Sequence, residues 1–574
     1  MYTRICEQLI EAVVNSSSEQ AISELANFLD SVSNSIISEV DTEESGKTAF
    51  ETLEKIHQLV WLPSLNQEVI DTLAFELPKV VAKLGCVSQR CSEVTKNIID
   101  RFVGRCSPRD MLSIFCEALG SPSELFVIPS YFVPLLVGLA KVLVLIQRRH
   151  FEQVNAAVPV VLNILKTFSS TSDYEDTDYG ELFRAATDVA CSIHTICVKL
   201  EGDNFKLHAI LGLYVLQLMA LVSIGMRSEI SRCILLVVQL SEILHSCKLS
   251  YSGLITGCEV AKISKLVIVD DGDDGISCFS HVKLGASLAV IWGYKNSEVA
   301  MSAKADLTAV KQNLQDHWNS RFEVIGMLKF IFTYADLPLE LKTHAIEFLL
   351  FIMDGIAPHS YDDHLDYTTY MPAFYVNLQA IEMVIMNAPD TMSRRNAFAA
   401  FKKVLSDIPT SVRFDVLRAL IKSAGSSSMV AILLDCVKEE MHVGKTTDRN
   451  SYISFWSPSV LELVEMVLRP LKGGPPSLPE YSDAVLSALN FYRFILITES
   501  TGKSNYTGIL SKDILQKAYN EWFLPLRTLV SFMEAETQRN WDHELVSDAV
   551  CALNPVELVL YRCIELVEEE LKHL

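Results

Sequence analysis

Strand signals are nearly absent from this 574-residue sequence. No segment alternates regularly between apolar and polar residues around a two-residue Asn-Gly or Asp-Gly turn, which argues against a sheet protein. The apolar residues return at helical spacing instead, and one such stripe consists of Leu341, Ala345, Phe348, Leu349, Ile352 and Met353. Gly355 is then placed to end that helix. The sequence therefore predicts an all-α chain.

Motifs that mark the common catalytic sites are missing as well. The sequence has no phosphate-binding glycine loop, nucleophile elbow, HExxH helix or paired CxxC motif. Active sites can assemble from distant residues, but a long helical chain without these motifs is a binding module more often than an enzyme. We therefore expect a non-catalytic protein without a cofactor.

Metal-binding patterns are weak. Cys191, His194 and Cys197 lie three residues apart in a predicted helix, where the outer two point about 120° apart and do not converge easily on one zinc ion. His359 and His364 lie among aspartates and tyrosines, which are at least as consistent with a polar loop that contacts a partner. We predict no metal site.

Positive charge is in short supply. The 71 acidic and 49 basic residues give a formal net charge of -22. Such a chain repels phosphate backbones and anionic lipid headgroups, which argues against nucleic acid and membrane surfaces as partners. A basic protein surface is the more natural complement.

Signals for export are also missing. The 14 cysteines lack paired spacing, and the N-terminal segment MYTRICEQLIEAVV is unlike a secretory signal. We therefore expect reduced thiols and a location in the nucleus and cytoplasm. The glycosylation sequon at Asn505, Tyr506 and Thr507 would not meet its enzyme there.

Two apolar stretches, 125–146 and 209–226, approach the length that a bilayer requires. The first contains two prolines and a lysine, and the second is only marginally long enough. Buried helices of a large helical protein have the same hydropathy. A membrane protein is therefore the weaker interpretation, and we expect no membrane partner.

Amphipathic segments recur along the chain, at 50–60, 68–84, 110–119, 229–247, 396–406, 412–422 and 482–497. Helices that follow one another without strands predict stacked pairs of the HEAT or armadillo type, with roughly a dozen units of about 40 to 47 residues. Near the C-terminus, Asn554 is placed to cap a helix that begins at Pro555. The predicted buried face of that helix is Val556, Leu560, Cys563, Ile564, Val567 and Leu571.

Four polar stretches interrupt this pattern, and we expect loops at 169–181 (SSTSDYEDTDYGE), 270–275 (DDGDDG), 442–451 and 473–480 (GGPPSLPE). The predicted organisation is one of N-terminal repeats (1–168), an acidic loop (169–182), central repeats (183–440) and C-terminal repeats (441–574).

Three blocks of sequence resemble the plant aberrant root formation proteins, which are relatives of animal glomulin. The most distinctive is SNYTGILSKDILQKAYNEWFLPLRTLV at 504–530. The others are LFVIPSYFVPLLVGLAKVLVLIQRRHFEQV at 125–154 and LKFIFTYADLPLELKTHAIEFLLFI at 328–352. The blocks follow the family order, so the resemblance spans most of the chain.

This resemblance implies a HEAT-like solenoid that inhibits cullin-RING (SCF-type) ubiquitin ligases. Its C-terminal repeats, with the end of the central section, would bind the RING domain of the RING-box subunit, with cullin as a further partner. They would cover the docking surface of the ubiquitin-conjugating enzyme, so inhibition needs no chemistry. The resemblance also implies a role in lateral root formation and auxin response.

Candidate contact residues lie in the 504–530 block, because Tyr, Trp and Arg often anchor interfaces. They are Asn505, Tyr506, Thr507, Tyr519, Trp522 and Arg527. A competing interpretation places Trp522, Leu526 and Leu529 in the core of a repeat. The alternative function is that of an acidic helical scaffold in transport or trafficking, which would bind basic cargo.

Overall fold

The computed structural model is built from α-helices. It describes residues 2–16, 18–38, 43–120, 128–170, 176–200, 204–225, 230–267, 277–355, 371–446, 452–470, 474–537 and 543–574, and these ranges contain no strand. The all-α prediction is confirmed. The chain forms two compact units, Met1–Ile352 and Met353–Leu574. The finer division predicted at 168, 182 and 440 stays a prediction.

The helices of the first unit are α1 (Tyr2–Ser16), α2 (Glu19–Ser38), α3 (Glu43–Val60), α4 (Gln67–Gly85), α5 (Gln89–Arg105), α6 (Pro108–Gly120), α7 (Pro129–Leu145), α8 (His150–Ser170), α9 (Asp176–Lys199), α10 (Phe205–Gly225), α11 (Ile230–Ser246), α12 (Tyr251–Ile255), α13 (Cys258–Val267), α14 (Val282–Lys295), α15 (Ser297–Ser302), α16 (Leu307–Asp316), α17 (Trp318–Thr333) and α18 (Leu339–Met353). Helix α18 ends at the boundary of the second unit.

The helices of the second unit are α19 (Met371–Asn387), α20 (Thr391–Ser406), α21 (Thr410–Ser423), α22 (Ser427–Thr446), α23 (Ser459–Leu468), α24 (Ser482–Gly502), α25 (Lys512–Lys517), α26 (Leu524–Thr537) and α27 (His543–His573). A π-helical segment, Ala518–Phe523, joins α25 to α26.

Most helices pack against their chain neighbours and against the helices two positions away. Helix α7 contacts α5, α6 and α9, and α22 contacts α21 and α24. Ion pairs follow the same rule: Lys83 on α4 reaches Asp30 on α2 at 2.7 Å, and Arg418 on α21 reaches Glu462 on α23 at 2.7 Å. A predominance of contacts between near neighbours is typical of stacked helical repeats. The predicted HEAT or armadillo-like repeat fold is therefore confirmed.

Each of the seven amphipathic segments predicted from the sequence coincides with a helix: α3, α4, α6, α11, α20, α21 and α24. The segment 229–247 exceeds α11 by one residue at each end, and residue 229 lies outside the described ranges. In α18, all six residues of the predicted apolar stripe are buried. Gly355 follows that helix with a φ of 83°, in the left-handed region that glycine enters without strain. Helical periodicity thus located both the elements and their buried faces.

The last helix departs from the prediction. It begins at His543, so Asn554 does not cap it and Pro555 lies within it. The N–H that proline lacks would have bonded to the carbonyl of Cys551, an exposed residue, so the helix continues where water can reach the unpaired group. The predicted apolar face is buried as far as Val567, whereas Leu571 is half-exposed.

Two predicted loops are partly helical. Helix α9 begins at Asp176, so residues 176–182 of the acidic loop are helical, and Tyr179 and Leu182 are buried at helical spacing. Helix α22 continues to Thr446 and includes the start of the stretch predicted as a loop. Between 474 and 481 the chain is non-helical, as its prolines predict. Residues 171–175, 268–276 and 447–451 lie outside the described ranges.

Helix α10 is, in the described part of the chain, the one helix whose length and composition would suffice to cross a membrane, and almost all of it is buried inside the protein. It packs closely against α14, where a Cβ on Gly285 would lie 1.7 Å from the carbonyl oxygen of Leu216. Gln217 accepts a hydrogen bond from the N–H of His281 at 2.8 Å. These contacts are those of a core helix.

Candidate protein-binding surface

Helix α24 ends in a tight turn that leads into the 504–530 block. Lys503 adopts the left-handed conformation, with a φ of 48°, and the N–H of Ser504 donates to the carbonyl of Glu499 at 3.0 Å. This bond and the left-handed residue together form a Schellman-type helix end. The turn fixes the direction in which the chain leaves α24.

The side chain of Glu499 holds the next turn in place. Its carboxylate is fully buried and accepts two hydrogen bonds from Thr507, from the N–H at 3.0 Å and from the hydroxyl at 2.6 Å. Bonds to a charged acceptor are stronger than neutral ones, and they offset part of the cost of removing the carboxylate from water. Glu499 and Thr507 therefore form the anchor of the loop.

Asn505 completes the loop. Its side-chain oxygen accepts from the N–H of Leu510 at 3.0 Å, and its carbonyl accepts from the N–H of Gly508 at 3.3 Å. Gly508 has a φ of 78°, which favours glycine at this position. Tyr506 stands between these anchored residues with 54% of its surface exposed. The loop thus presents an aromatic side chain on a backbone that is fixed on both sides.

A π-helical turn follows at Ala518–Phe523. The N–H of Leu524 donates to the carbonyl of Tyr519, five residues earlier, as a π-helix requires. Pro525 accounts for this geometry, because proline has no N–H to donate to the carbonyl of Glu521 and its ring crowds that carbonyl. Single π turns often occur at functional sites.

Side chains around the π turn form ion pairs and hydrogen bonds with neighbouring helices. Lys517 reaches Glu465 at 2.8 Å, and Arg469 pairs with Glu521. The hydroxyl of Tyr519 donates to Glu568 on α27 at 2.9 Å. These contacts tie the block to the helices on both sides of it.

Tyr519 and Arg527 lie close enough to influence each other. The hydrogen bond to Glu568 raises the pKa of Tyr519, and the positive charge of Arg527 opposes that rise. Both residues are half-buried, so each presents part of its side chain to solvent. A phenol and a guanidinium presented together are typical of an interface anchor.

Trp522 belongs to the core. Its ring packs edge-to-face against Tyr492 of α24, with centroids 6.1 Å apart, and Tyr492 packs in the same way against Phe523 at 5.0 Å. Trp522 is 2% exposed, and its Nε1 has no hydrogen-bond partner in the described chain. This ring cluster connects α24 to the π turn.

The structure separates the six predicted contact residues into two groups. Asn505 and Tyr506 are exposed, and Tyr519 and Arg527 are half-buried. Thr507 and Trp522 are buried, so neither side chain lies on the surface of this structure. Packing explains their burial: the Thr507 hydroxyl bonds to Glu499, and the Trp522 indole fills the ring cluster. Contact with a partner stays a prediction for all six residues.

Sequence reasoning missed the acidic residues that support this surface. Glu499 anchors the loop and Glu568 accepts from Tyr519, yet no motif links either residue to the block. Glu570 on α27 accepts from Ser500 at 2.6 Å, and Glu569 beside it is exposed. Glu568, Glu569 and Glu570 near the end of α27 therefore make this part of the second unit negatively charged.

The candidate metal ligands do not form a site in the described ranges. No group of three or more His, Cys, Asp or Glu side chains could hold a metal ion there. Cys197 is buried, and Cys191 and His194 are half-buried on α9. His359 and His364 lie outside the described residues.

Comparison with known proteins assigns the chain to a family. A family described as an uncharacterised protein family, YAP/Alf4/glomulin, matches residues 1–189 and 359–563. Aberrant root formation protein 4 of Arabidopsis thaliana is 45% identical over 565 residues, which cover 96% of this chain and 89% of that protein. This chain belongs to the YAP/Alf4/glomulin family. The predicted resemblance is thereby confirmed.

Other known proteins share less sequence or structural similarity with this chain. Human glomulin is 21% identical over 157 residues, covering 27% of this chain and 26% of glomulin. The crystal structure of Kap121p aligns over 99% of this chain and 69% of its own, with 12% identity and a TM-score of 0.19. Kap121p bound to Nup53p gives 12% identity and a TM-score of 0.22, over 100% of this chain and 69% of its own. Likeness at such TM-scores supports no conclusion.

Proposed function

We propose that this member of the glomulin family is a non-catalytic inhibitor of cullin-RING ubiquitin ligases. Its C-terminal unit binds the RING-box subunit and covers the surface that the ubiquitin-conjugating enzyme needs. Family membership and the three sequence blocks at 125–154, 328–352 and 504–530 support this proposal. The observation that carries the choice of surface is the exposed Tyr506 on its anchored loop.

A rigid loop lowers the cost of binding. The turn at Lys503, the Glu499–Thr507 anchor and the Asn505 bonds hold the loop before a partner arrives. Binding then immobilises few additional groups, so more of the contact energy appears as affinity. A tyrosine offers a large contact area with few rotatable bonds, which suits a central anchor.

Inhibition follows from occupancy alone. One RING surface cannot hold two proteins at once. The rate of ubiquitin transfer therefore falls in proportion to the fraction of RING-box subunit that is bound by this chain. The acidic end of α27 and the net charge of -22 would steer a basic partner surface toward this unit. Such steering acts mainly on the association rate and weakens as salt rises.

The biological setting is part of the same proposal. The Arabidopsis relative is named for root formation, and we propose a role in lateral root formation and auxin response for this chain. Nucleus and cytoplasm are the proposed locations, because thiols stay reduced there.

A ubiquitin-transfer assay tests the proposal. Purified chain is added to a RING-box and cullin complex with its ubiquitin-conjugating enzyme, and chain formation is followed over time. We expect saturating protein to suppress the rate, and Tyr506→Ala to shift inhibition to higher concentrations. Phe75→Ala is a matched control, because Phe75 is an aromatic residue that is 61% exposed and lies on α4 of the first unit, outside the proposed binding unit.

An unchanged rate at saturating protein would reject the proposal. Capture of basic cargo peptides without any cullin complex would then favour the transport or trafficking scaffold.

A further inference from the structure

An open cavity lies in the first unit, far in sequence from the 504–530 block. Its volume is about 610 Å³. The start of α6, the end of α7 and the start of α8 form its walls, which are lined by Ser107, Pro108, Arg109, Leu145, Ile146, Gln147, Arg148, Arg149 and Gln153. This volume suits a small molecule or one side chain with its neighbours.

Three arginines meet at this cavity: Arg109, Arg148 and Arg149. All three are exposed, and no ion pair neutralises any of them in the described chain. Asp110 and Glu152 are the nearest carboxylates in sequence, but neither lines the cavity. In a chain with a net charge of -22, three guanidinium groups around one cavity form a local concentration of positive charge.

Two helix starts add to that charge. Helix α6 begins at Pro108, which lines the cavity together with the residue on either side of it. Helix α8 begins at His150, and the cavity is lined there by Arg149, which precedes the helix, and by Gln153 in its first turn. The first turn of a helix has backbone N–H groups without helical partners and carries a partial positive charge. Arg149 has a φ of 57°, in the left-handed region that a non-glycine residue enters at a cost. The linker between α7 and α8 thus holds two adjacent arginines in a fixed turn.

We propose that this cavity binds a phosphate monoester. Guanidinium groups form paired hydrogen bonds with phosphate oxygens, and helix starts favour the same anion. A dianion with three terminal oxygens can engage several arginines at once, which a single carboxylate cannot do equally well. Leu145, Ile146 and Pro108 provide an apolar wall for the carbon skeleton that carries the phosphate.

The charge of the whole chain narrows the ligand class. Nucleic acids and anionic membranes extend over distances at which a net charge of -22 repels them. A compact dianion enters the cavity without bringing further negative charge to the surrounding surface. The phosphate monoester can belong to a phosphorylated side chain of a protein or to a small metabolite. This proposal is independent of ligase inhibition.

The test measures binding of defined probes to the full chain by calorimetry and by thermal shift. The probes are O-phosphoserine, a degenerate peptide pool with central phosphoserine, the same pool with serine, and the same pool with glutamate. We expect saturable binding of phosphorylated probes, at least about tenfold tighter than of the serine and glutamate pools. Tighter binding of the phosphopeptide pool than of O-phosphoserine identifies a protein ligand, and equal binding identifies a small phosphate ester.

Variants of the cavity complete the test. Combined Arg148→Gln and Arg149→Gln substitutions are expected to weaken binding of phosphorylated probes by at least about tenfold. Arg395→Gln is the matched control, because Arg395 is exposed on α20 of the second unit, and binding should not change. The proposal is overturned if no phosphorylated probe binds saturably, if the glutamate pool binds equally well, or if Arg395→Gln causes the same loss.

Discussion

Glu499 accepts both hydrogen bonds that Thr507 can donate, one from its backbone N–H and one from its hydroxyl, at 3.0 and 2.6 Å. The two residues lie at the end of α24 and in the loop that follows, and both are buried. A buried carboxylate depends on such donors, because they replace part of the hydration that it loses. This pair therefore links the stability of the helix end to the position of Tyr506.

Removing the Thr507 hydroxyl tests that link. Thr507→Val keeps the shape of the side chain but leaves one Glu499 oxygen without its donor, so we expect the free energy of unfolding to fall by about 2 to 3 kcal/mol. Thr507→Ser retains the hydroxyl and should cost less than about 1 kcal/mol. Urea denaturation of the three proteins provides the measurement. Equal losses for Val and Ser would show that the hydroxyl is not the important group.

Tyr506 should matter for binding and not for folding. Its side chain is 54% exposed, so Tyr506→Ala should change the free energy of unfolding by no more than about 0.5 kcal/mol. Loss of an interface anchor is expected to weaken binding to the RING-box subunit by about 2 kcal/mol, or about thirtyfold. Calorimetric titration measures this change, with Phe75→Ala in the first unit as the control. Wild-type affinity in the Tyr506→Ala variant would show that the interface lies elsewhere on the protein.

Trp522 should show the opposite behaviour. Trp522→Ala removes a ring that packs against Tyr492 and should cost about 3 to 5 kcal/mol of stability. Trp522→Phe keeps an aromatic ring and removes an N–H that has no partner in the described chain, so its cost should be only about 1 to 2 kcal/mol. Thermal denaturation distinguishes the two variants. A folded Trp522→Phe variant with strongly reduced affinity for the partner would show that Trp522 contributes to the interface.

Glu382 makes the second unit sensitive to pH. It is 5% exposed on α19, its Oε1 has no hydrogen-bond partner in the described ranges, and burial raises its pKa to about 8. The folded state therefore binds this proton more tightly than the unfolded state does. Burying the ionised carboxylate of Glu382 lowers the free energy of unfolding. This loss of stability is absent below the unfolded pKa of about 4.3 and grows as pH rises to about 8.

Replacing that carboxyl group should remove the penalty. Glu382→Gln is expected to raise the free energy of unfolding by about 2 to 4 kcal/mol at about pH 8.5 and to change it much less at about pH 5. Urea denaturation at both values measures the difference from the wild-type chain. A gain of the same size at both values would show that titration of Glu382 is not the cause.

Helical periodicity was sufficient to predict the repeat fold but not the ends of its elements. The apolar stripe of α18 and the glycine after it were both predictable, because packing fixes apolar positions and a left-handed residue ends the helix. Pro555 was misleading, because a proline can lie inside a long helix where its missing bond faces water. The local pattern there is the same as at a true helix start.

The candidate surface was predictable in part. Tyr506 lies in a polar turn that comes after Gly502, so its exposure could be expected. The burial of Thr507 depends on Glu499, which precedes it by eight residues, and the bond of Tyr519 depends on Glu568, 49 residues away. Such tertiary partners leave no periodic signal in the sequence. The arginine cavity is a similar case, since Arg109 joins Arg148 and Arg149 only after α6, α7 and α8 have packed.

Competition for the RING-box subunit tests the central claim most directly. A labelled ubiquitin-conjugating enzyme is bound to a RING-box and cullin complex, and its release is followed by fluorescence anisotropy as this chain is added. Occlusion predicts complete displacement, with a midpoint that rises linearly with the concentration of the conjugating enzyme. A stable ternary complex, in which both proteins remain bound at saturation, would contradict the account.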